Sequence, residues 1–119
     1  MRRHDERGVG TVMTAAMCMV VVGIAMISSV VVAWLASEQS AQDAADLASL
    51  AGASVVVEGG NGCAAARWVA ERNGARLVAC EVTGEPRSFV IEVDVERALH
   101  PRIHGAPETV RRTATAGRA

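Results

Sequence analysis

Residues 8–37 read GVGTVMTAAMCMVVVGIAMISSVVVAWLAS, thirty consecutive positions without a charged side chain. A bilayer core takes about 20 apolar residues as a helix, and positions 9–36 supply that length with some to spare. A soluble protein would have to wrap a helix that is apolar on every face, and a chain of 119 residues leaves too little material to do so. The stretch is therefore read as a membrane span, and its flanks set the direction. Arg2, Arg3 and Arg7 stand just before it, whereas no Arg follows until Arg67, which puts the N-terminus in the cytoplasm and the C-terminal part outside. Trp34 lies near the far end of the run, where an indole N–H suits the headgroup layer. A cleaved secretory signal starts in the same way, but its apolar region runs only about 7–15 residues and ends at a small-x-small site. Val32-Ala33-Trp34-Leu35-Ala36-Ser37 offers no such step, so a retained anchor is favoured and a secreted small domain is the alternative.

Beyond the span the helix signal continues. Residues 37–51 contain no Gly or Pro and are rich in Ala and Leu; Ala41, Ala44, Ala45, Ala48 and Ala51 share one face, and Gln39, Gln42, Asp43 and Asp46 another. The expectation is one continuous helix from about Thr11 to about Ala53, half in lipid and half outside. Small residues recur every four positions along it: Ala25, Ser29, Ala33, Ser37, Ala41, Ala45, then Ser49 and Ala53. Small side chains let helix backbones approach closely in lipid, so this stripe is a candidate seam against like helices. The general abundance of Ala and Ser here is the competing explanation, because a strict four-residue repeat winds around a helix of 3.6 residues per turn.

The cluster Gly59-Gly60-Asn61-Gly62 predicts the end of the long helix, and a small head domain begins at Cys63. Asn61 can cap a helix starting near Cys63, and Asn73-Gly74 can stop it. Two alternating runs follow. Val78, Cys80 and Val82 share one face of the first; Phe89, Ile91, Val93 and Val95 share one face of the second, opposite Glu92, Asp94 and Glu96. Residues 83–87 read as the hairpin loop between them, and a third strand is expected at 109–116 after a Pro-containing loop at 99–107. The predicted organisation is α+β. A basic tail (1–8) leads into a transmembrane helix (9–36) and its extracytoplasmic continuation (37–58). A Gly-rich linker (59–62) then joins a head (63–119) of one helix on a three-stranded antiparallel sheet.

Composition narrows the function. A net charge of −1, with 12 basic and 13 acidic residues, removes the electrostatic case for nucleic-acid binding. Aromatics make up only 3%, so the head's core is thin and is expected to rest on Phe89 and Trp68. A head of about sixty residues with so little aromatic bulk needs a staple. Cys63 and Cys80 can meet in one layer and would be joined in an oxidising compartment; metal binding is the alternative, but the chain has no C-x-x-C and a structural zinc takes four ligands. Cys18 lies in the span as a small apolar residue. His100 and His104 flank Pro101 and read as solvated loop residues, with His4 far off in the tail. No Gly-rich phosphate loop or G-x-S-x-G elbow occurs. No catalytic residue, metal site or cofactor is expected, and a non-catalytic structural subunit or a membrane-anchored binding module remains.

The order of parts, a basic tail, a long apolar helix prolonged outside and a small α+β head, resembles the type IV pilin-like architecture. Three blocks make the likeness more specific: Arg7-Gly8-Val9-Gly10-Thr11-Val12, the run 41–51, and the segment from Cys63 through Val69-Ala70-Glu71-Arg72-Asn73-Gly74-Ala75-Arg76-Leu77-Val78 to Cys80. With them the chain resembles the TadE/TadG-like proteins of tight-adherence (Flp) pilus loci, in particular the short actinobacterial group found beside helicase and secretion genes. The resemblance implies a minor pilin or pseudopilin in the cytoplasmic membrane, single-pass, with other pilin-like or secretion-system subunits as partners. It also implies processing after Gly8 or Gly10. Prepilin-like substrates usually carry Glu at the fifth mature position, and here Gly8 would place Met13 there and Gly10 would place Ala15.

Overall fold

The computed structural model describes residues 2–85 and 87–119, with the backbone alone for 2–7. Helix α1 (Arg2–Val57) is followed by helix α2 (Gly62–Arg72) and strands β1 (Arg76–Glu85), β2 (Ser88–Ala98) and β3 (Thr109–Arg118). The strands form one antiparallel sheet in the order β1-β2-β3. A long apolar N-terminal helix, a short helix and a three-stranded sheet make up the expected α+β, pilin-like layout. The chain divides into two units between Ala33 and Trp34.

The first unit is helix alone. Val12, Met17, Val20, Ile24 and Ile27 are all exposed on it. Thr14, Ser28 and Ser29 donate their hydroxyls to the carbonyls of Gly10, Ile24 and Met26 at 2.7–2.8 Å, so these polar groups are satisfied by their own helix. This is the one helix among the described residues long and apolar enough to cross a membrane.

In the second unit α1 becomes a core element. Ala41, Ala44, Ala45, Ala48 and Ser49 are buried, and the sheet meets Ala44, Ala45 and Ala48 with Ile91, Val93 and Val95, none of which has any exposed surface. The helix supplies methyl groups and the strand supplies bulk, a division that lets backbone approach backbone and fills a core almost without aromatics. The alternation in β2 is as expected: Phe89, Ile91, Val93 and Val95 point inward, while Val90 and Glu92 are exposed and Asp94 and Glu96 only partly covered. Ala41 clusters with Leu99 and Val110, whereas a Cβ placed on Gly52 would stand 2.5 Å from Ile91 Cδ1. Helix α1 therefore runs antiparallel to β2. The same Cβ would lie 2.9 Å from the carbonyl oxygen of Gly62, so α1, α2 and β2 converge where a side chain has no room.

Two helix ends follow one design. Gly59, at φ 82°, lets the N–H groups of Gly59 and Gly60 donate to the carbonyls of Val56 and Val55 at 3.0 and 2.8 Å. Helix α1 thus runs through Val57, ending before the Gly-rich linker as the 37–58 continuation expects and a turn beyond the approximate limit of Ala53, with the β-branched Val55 and Val56 half-buried. Gly74 and Ala75 repeat the pattern on Glu71 and Ala70 to end α2, where Arg97 also donates to the carbonyl of Asn73 at 2.7 Å. At the other end of α2 the Asn61 side chain accepts from the Ala64 N–H at 3.1 Å, the expected cap.

Four details differ from the sequence reading. The register of β1 shifts between Leu77 and Ala79, which sets Leu77 opposite Val95 and Cys80 opposite Val93. An extra residue in a strand reverses the alternation on one side of it, so Leu77 and not Val78 joins Cys80 against the core, while Val82 is exposed. Trp68 is exposed and not a core residue; α2 turns Ala66 and Ala70 inward, and the Arg72 guanidinium sits 4.8 Å from the indole centre. The strands run on to the Glu85–Ser88 pair, so the connection is shorter than the expected 83–87 loop; Pro86 within it lies outside the described residues. Strand β3 extends to Arg118, because its pairing with β2 continues to Phe89.

Candidate functional site

The second unit is held together at three levels. Highest is the disulfide between Cys63 of α2 and Cys80 of β1, with Cα atoms 5.8 Å apart. Closing a loop between residues 17 apart restricts the unfolded chain by roughly 3 kcal/mol if the effect is entropic. Below it lies the Ala-on-Val layer just described. Lowest is a face of α1 formed by Trp34, Ser37, Glu38 and Ala41, at the i, i+3, i+4, i+7 spacing that aligns side chains along one side of a helix.

Each of those four residues has its own partner near the root of the loop between β2 and β3. The Trp34 indole N–H donates to the carbonyl of Pro101 at 3.0 Å, and the Ser37 hydroxyl reaches the carbonyl of His100 at 3.5 Å. Arg112 pairs with Glu38 at 3.4 Å, and Ala41 covers Leu99 and Val110. The loop closes on itself where the Leu99 N–H donates to the Glu108 carbonyl at 2.8 Å, and its tip is a turn in which the Ala106 N–H donates to the Ile103 carbonyl at 3.1 Å. Arg102, Ile103 and His104 stand exposed at that tip. The loop curls around an open hollow of about 370 Å³ lined by Arg102–Glu108. The position of Trp34 in the sequence suits the headgroup layer; the structure shows that its indole N–H has a protein partner, the Pro101 carbonyl. The i, i+3, i+4, i+7 series was visible in the sequence, but nothing local marks which distant backbone it meets.

The solvent face of the sheet carries a carboxylate, Asp94, that is held by two side-chain donors. The Asp94 carboxylate accepts hydrogen bonds from the Thr113 hydroxyl and from the Arg111 guanidinium, the latter at 2.8 Å. Both donors, with the positive charge of Arg111, hold its pKa below the ordinary value, and partial desolvation opposes them weakly. Arg76 and Glu96 pair across β1 and β2 at 3.7 Å. These are cross-strand pairs on an exposed face, where such contacts contribute little to stability.

The other sequence candidates distribute as follows. Gly8 and Gly10 lie in α1 with open space around them. Of the small-residue stripe, Ala25, Ser29 and Ala33 are exposed, Ser37 bonds the loop, and Ala41, Ala45 and Ser49 are already covered by the protein's own head. Only its inner part is open to another helix. His100 and His104 are exposed loop residues, and among the described residues no three His, Cys, Asp or Glu side chains gather to hold a metal ion. Cys18 is a free, exposed thiol in the uncharged stretch. Side chains of the basic tail, Arg2, Arg3 and Arg7, lie outside the described residues. Compared with protein-family models, with curated proteins and with solved structures, the chain matches none.

Proposed function

We propose that the protein is a single-pass protein of the cytoplasmic membrane, N-terminus inside and head outside, acting as a non-catalytic structural subunit of the minor-pilin or pseudopilin kind. One observation carries the reading: a single helix presents uncovered apolar side chains over residues 8–33 and then, over 34–57, becomes the core of a disulfide-stapled α+β head. A disulfide fits an extracytoplasmic domain, and the arginines before the span fit a cytoplasmic start. The likeness of residues 7–12, 41–51 and 63–80 to TadE/TadG-like proteins points to a tight-adherence pilus or secretion assembly as its setting, with other single-span subunits as partners.

A photo-crosslinking residue at Ala25 or Ser29 tests this in cells. Adducts with small single-span membrane proteins are expected; adducts formed only from head positions such as Thr115 would instead favour a membrane-anchored binding module. That second reading draws on β3, an edge strand paired on one side only. Processing is tested by N-terminal sequencing of extracted protein: a start at Val9 or Thr11 is expected from cleavage after Gly8 or Gly10, and a start at Met1 or Arg2 removes it.

A further inference from the structure

Helix α1 passes from uncharged stretch to head without an intervening linker, and the loop between β2 and β3 is fastened at that passage. Trp34, which holds Pro101, follows directly on the last residue of the first unit. Because α1 runs antiparallel to β2, the end of the sheet that carries this loop is the end at which α1 enters the head at Trp34, while the β1–β2 turn lies at the other end. The loop tip combines an apolar side chain, Ile103, 46% exposed, with Arg102 on one side and His104 on the other. A bulky aliphatic between an arginine and a polar imidazole is a composition that suits the boundary between headgroups and acyl chains.

We infer that the 102–104 tip is a membrane-contacting foot, seating Ile103 at the outer surface of the bilayer that α1 crosses, with Arg102 among the phosphates of the lipid headgroups. This rests on the membrane reading proposed above. It gives the Trp34–Pro101 hydrogen bond a purpose: the indole serves as a bracket that fixes a lipid-binding loop at interfacial height.

The full chain, carrying Cys18→Ser so that no other free thiol remains, is reconstituted in vesicles of phosphatidylethanolamine and phosphatidylglycerol. An environment-sensitive fluorophore is attached in turn to Val21→Cys, Ile103→Cys and Glu85→Cys, and the lipid carries a nitroxide near its carbonyl groups. Quenching at Ile103→Cys, blue-shifted emission there and an unquenched Glu85→Cys are the expected results, with Val21→Cys reporting insertion of the helix through its blue-shifted emission. Insertion at Val21→Cys with an aqueous spectrum at Ile103→Cys overturns the foot and leaves the span standing. An aqueous spectrum at Val21→Cys overturns both. Equal quenching at Glu85→Cys also overturns the foot, since contact would then not be particular to this end. Ile103→Asp, paired with the fluorophore at Pro107→Cys, should abolish the remaining quenching of the loop, and retention of that quenching counts against Ile103 as the seated group.

Discussion

The two parts of α1 are built from much the same residues and meet opposite fates. Over residues 8–33 the helix carries Val, Met and Ile outward on all sides, and Ala25 and Ser29 are exposed among them. Over 34–57 the same kind of small residue, Ala41, Ala44, Ala45 and Ala48, is fully enclosed, while Leu47 and Leu50 are left outside. Burial here follows what the partner surface brings, not side-chain hydrophobicity. The sheet supplies isoleucine and valine and needs a helix face that yields space, so alanine goes in and leucine stays out. In the inner part no protein surface arrives, and the apolar side chains wait for lipid or another helix.

A charge placed in each part should separate them most sharply. Val22→Arg, in the middle of the uncharged stretch, is expected to cost roughly 3 kcal/mol of membrane insertion and to shift protein out of the carbonate-resistant fraction. Leu50→Arg, already 62% exposed, should leave fractionation unchanged, and equal behaviour of the two variants would dissolve the contrast. Added bulk comes next. Ala45→Leu forces side-chain and backbone shifts under the sheet worth about 1–3 kcal/mol, read as a lower unfolding midpoint of the full chain in detergent, whereas Ala25→Leu should not move that midpoint. At the junction, Trp34→Phe keeps the ring but removes the donor to Pro101, a loss of about 1 kcal/mol. Faster amide exchange confined to residues 99–107 would be its signature; unchanged exchange there would mean the indole does not hold the loop.

The smallest effect lies on the sheet's open face. Asp94 is more acidic in the folded chain than in the unfolded one, so its contribution is complete above the unfolded-chain pKa and is lost as pH falls through the folded value. Asp94→Asn should therefore flatten the acid end of the stability profile of the head and leave the profile of helix insertion untouched. A variant curve parallel to the parent's at low pH would show that Arg111 and Thr113 do not bias this carboxylate.

What the sequence disclosed, and what it hid, divides by the range of the forces involved. The charge-free run, the Asn61 cap, the Asn73-Gly74 stop and the strict alternation of β2 are set by residues within a turn or two of one another, and each was legible. The pairing of Cys63 with Cys80 was legible too, because helix and strand periodicity placed both in one layer. The bulge between Leu77 and Ala79 had no glycine to announce it; with it, both Leu77 and Cys80 pack against the core. Trp68 was misplaced since a short Ala-rich helix offers two faces of similar character, and the choice of Ala66 and Ala70 depends on how closely α1 and α2 cross at Gly52 and Gly62. The Trp34–Pro101 contact joins residues 67 apart, beyond the reach of any local pattern.

An uninterrupted α1 also bears on how the head could be lost from the cell. Proteins released from a surface by juxtamembrane proteolysis offer the protease a pliable stalk, which it can draw into its cleft in extended form. Here the peptide bonds that follow the apolar stretch are helical and, within two turns, enclosed by the sheet. Cutting between Ser37 and Val57 would sever a piece of the domain's own interior, so in a protein anchored as proposed above shedding and unfolding become the same event, and folding stability guards the head's residence on the surface.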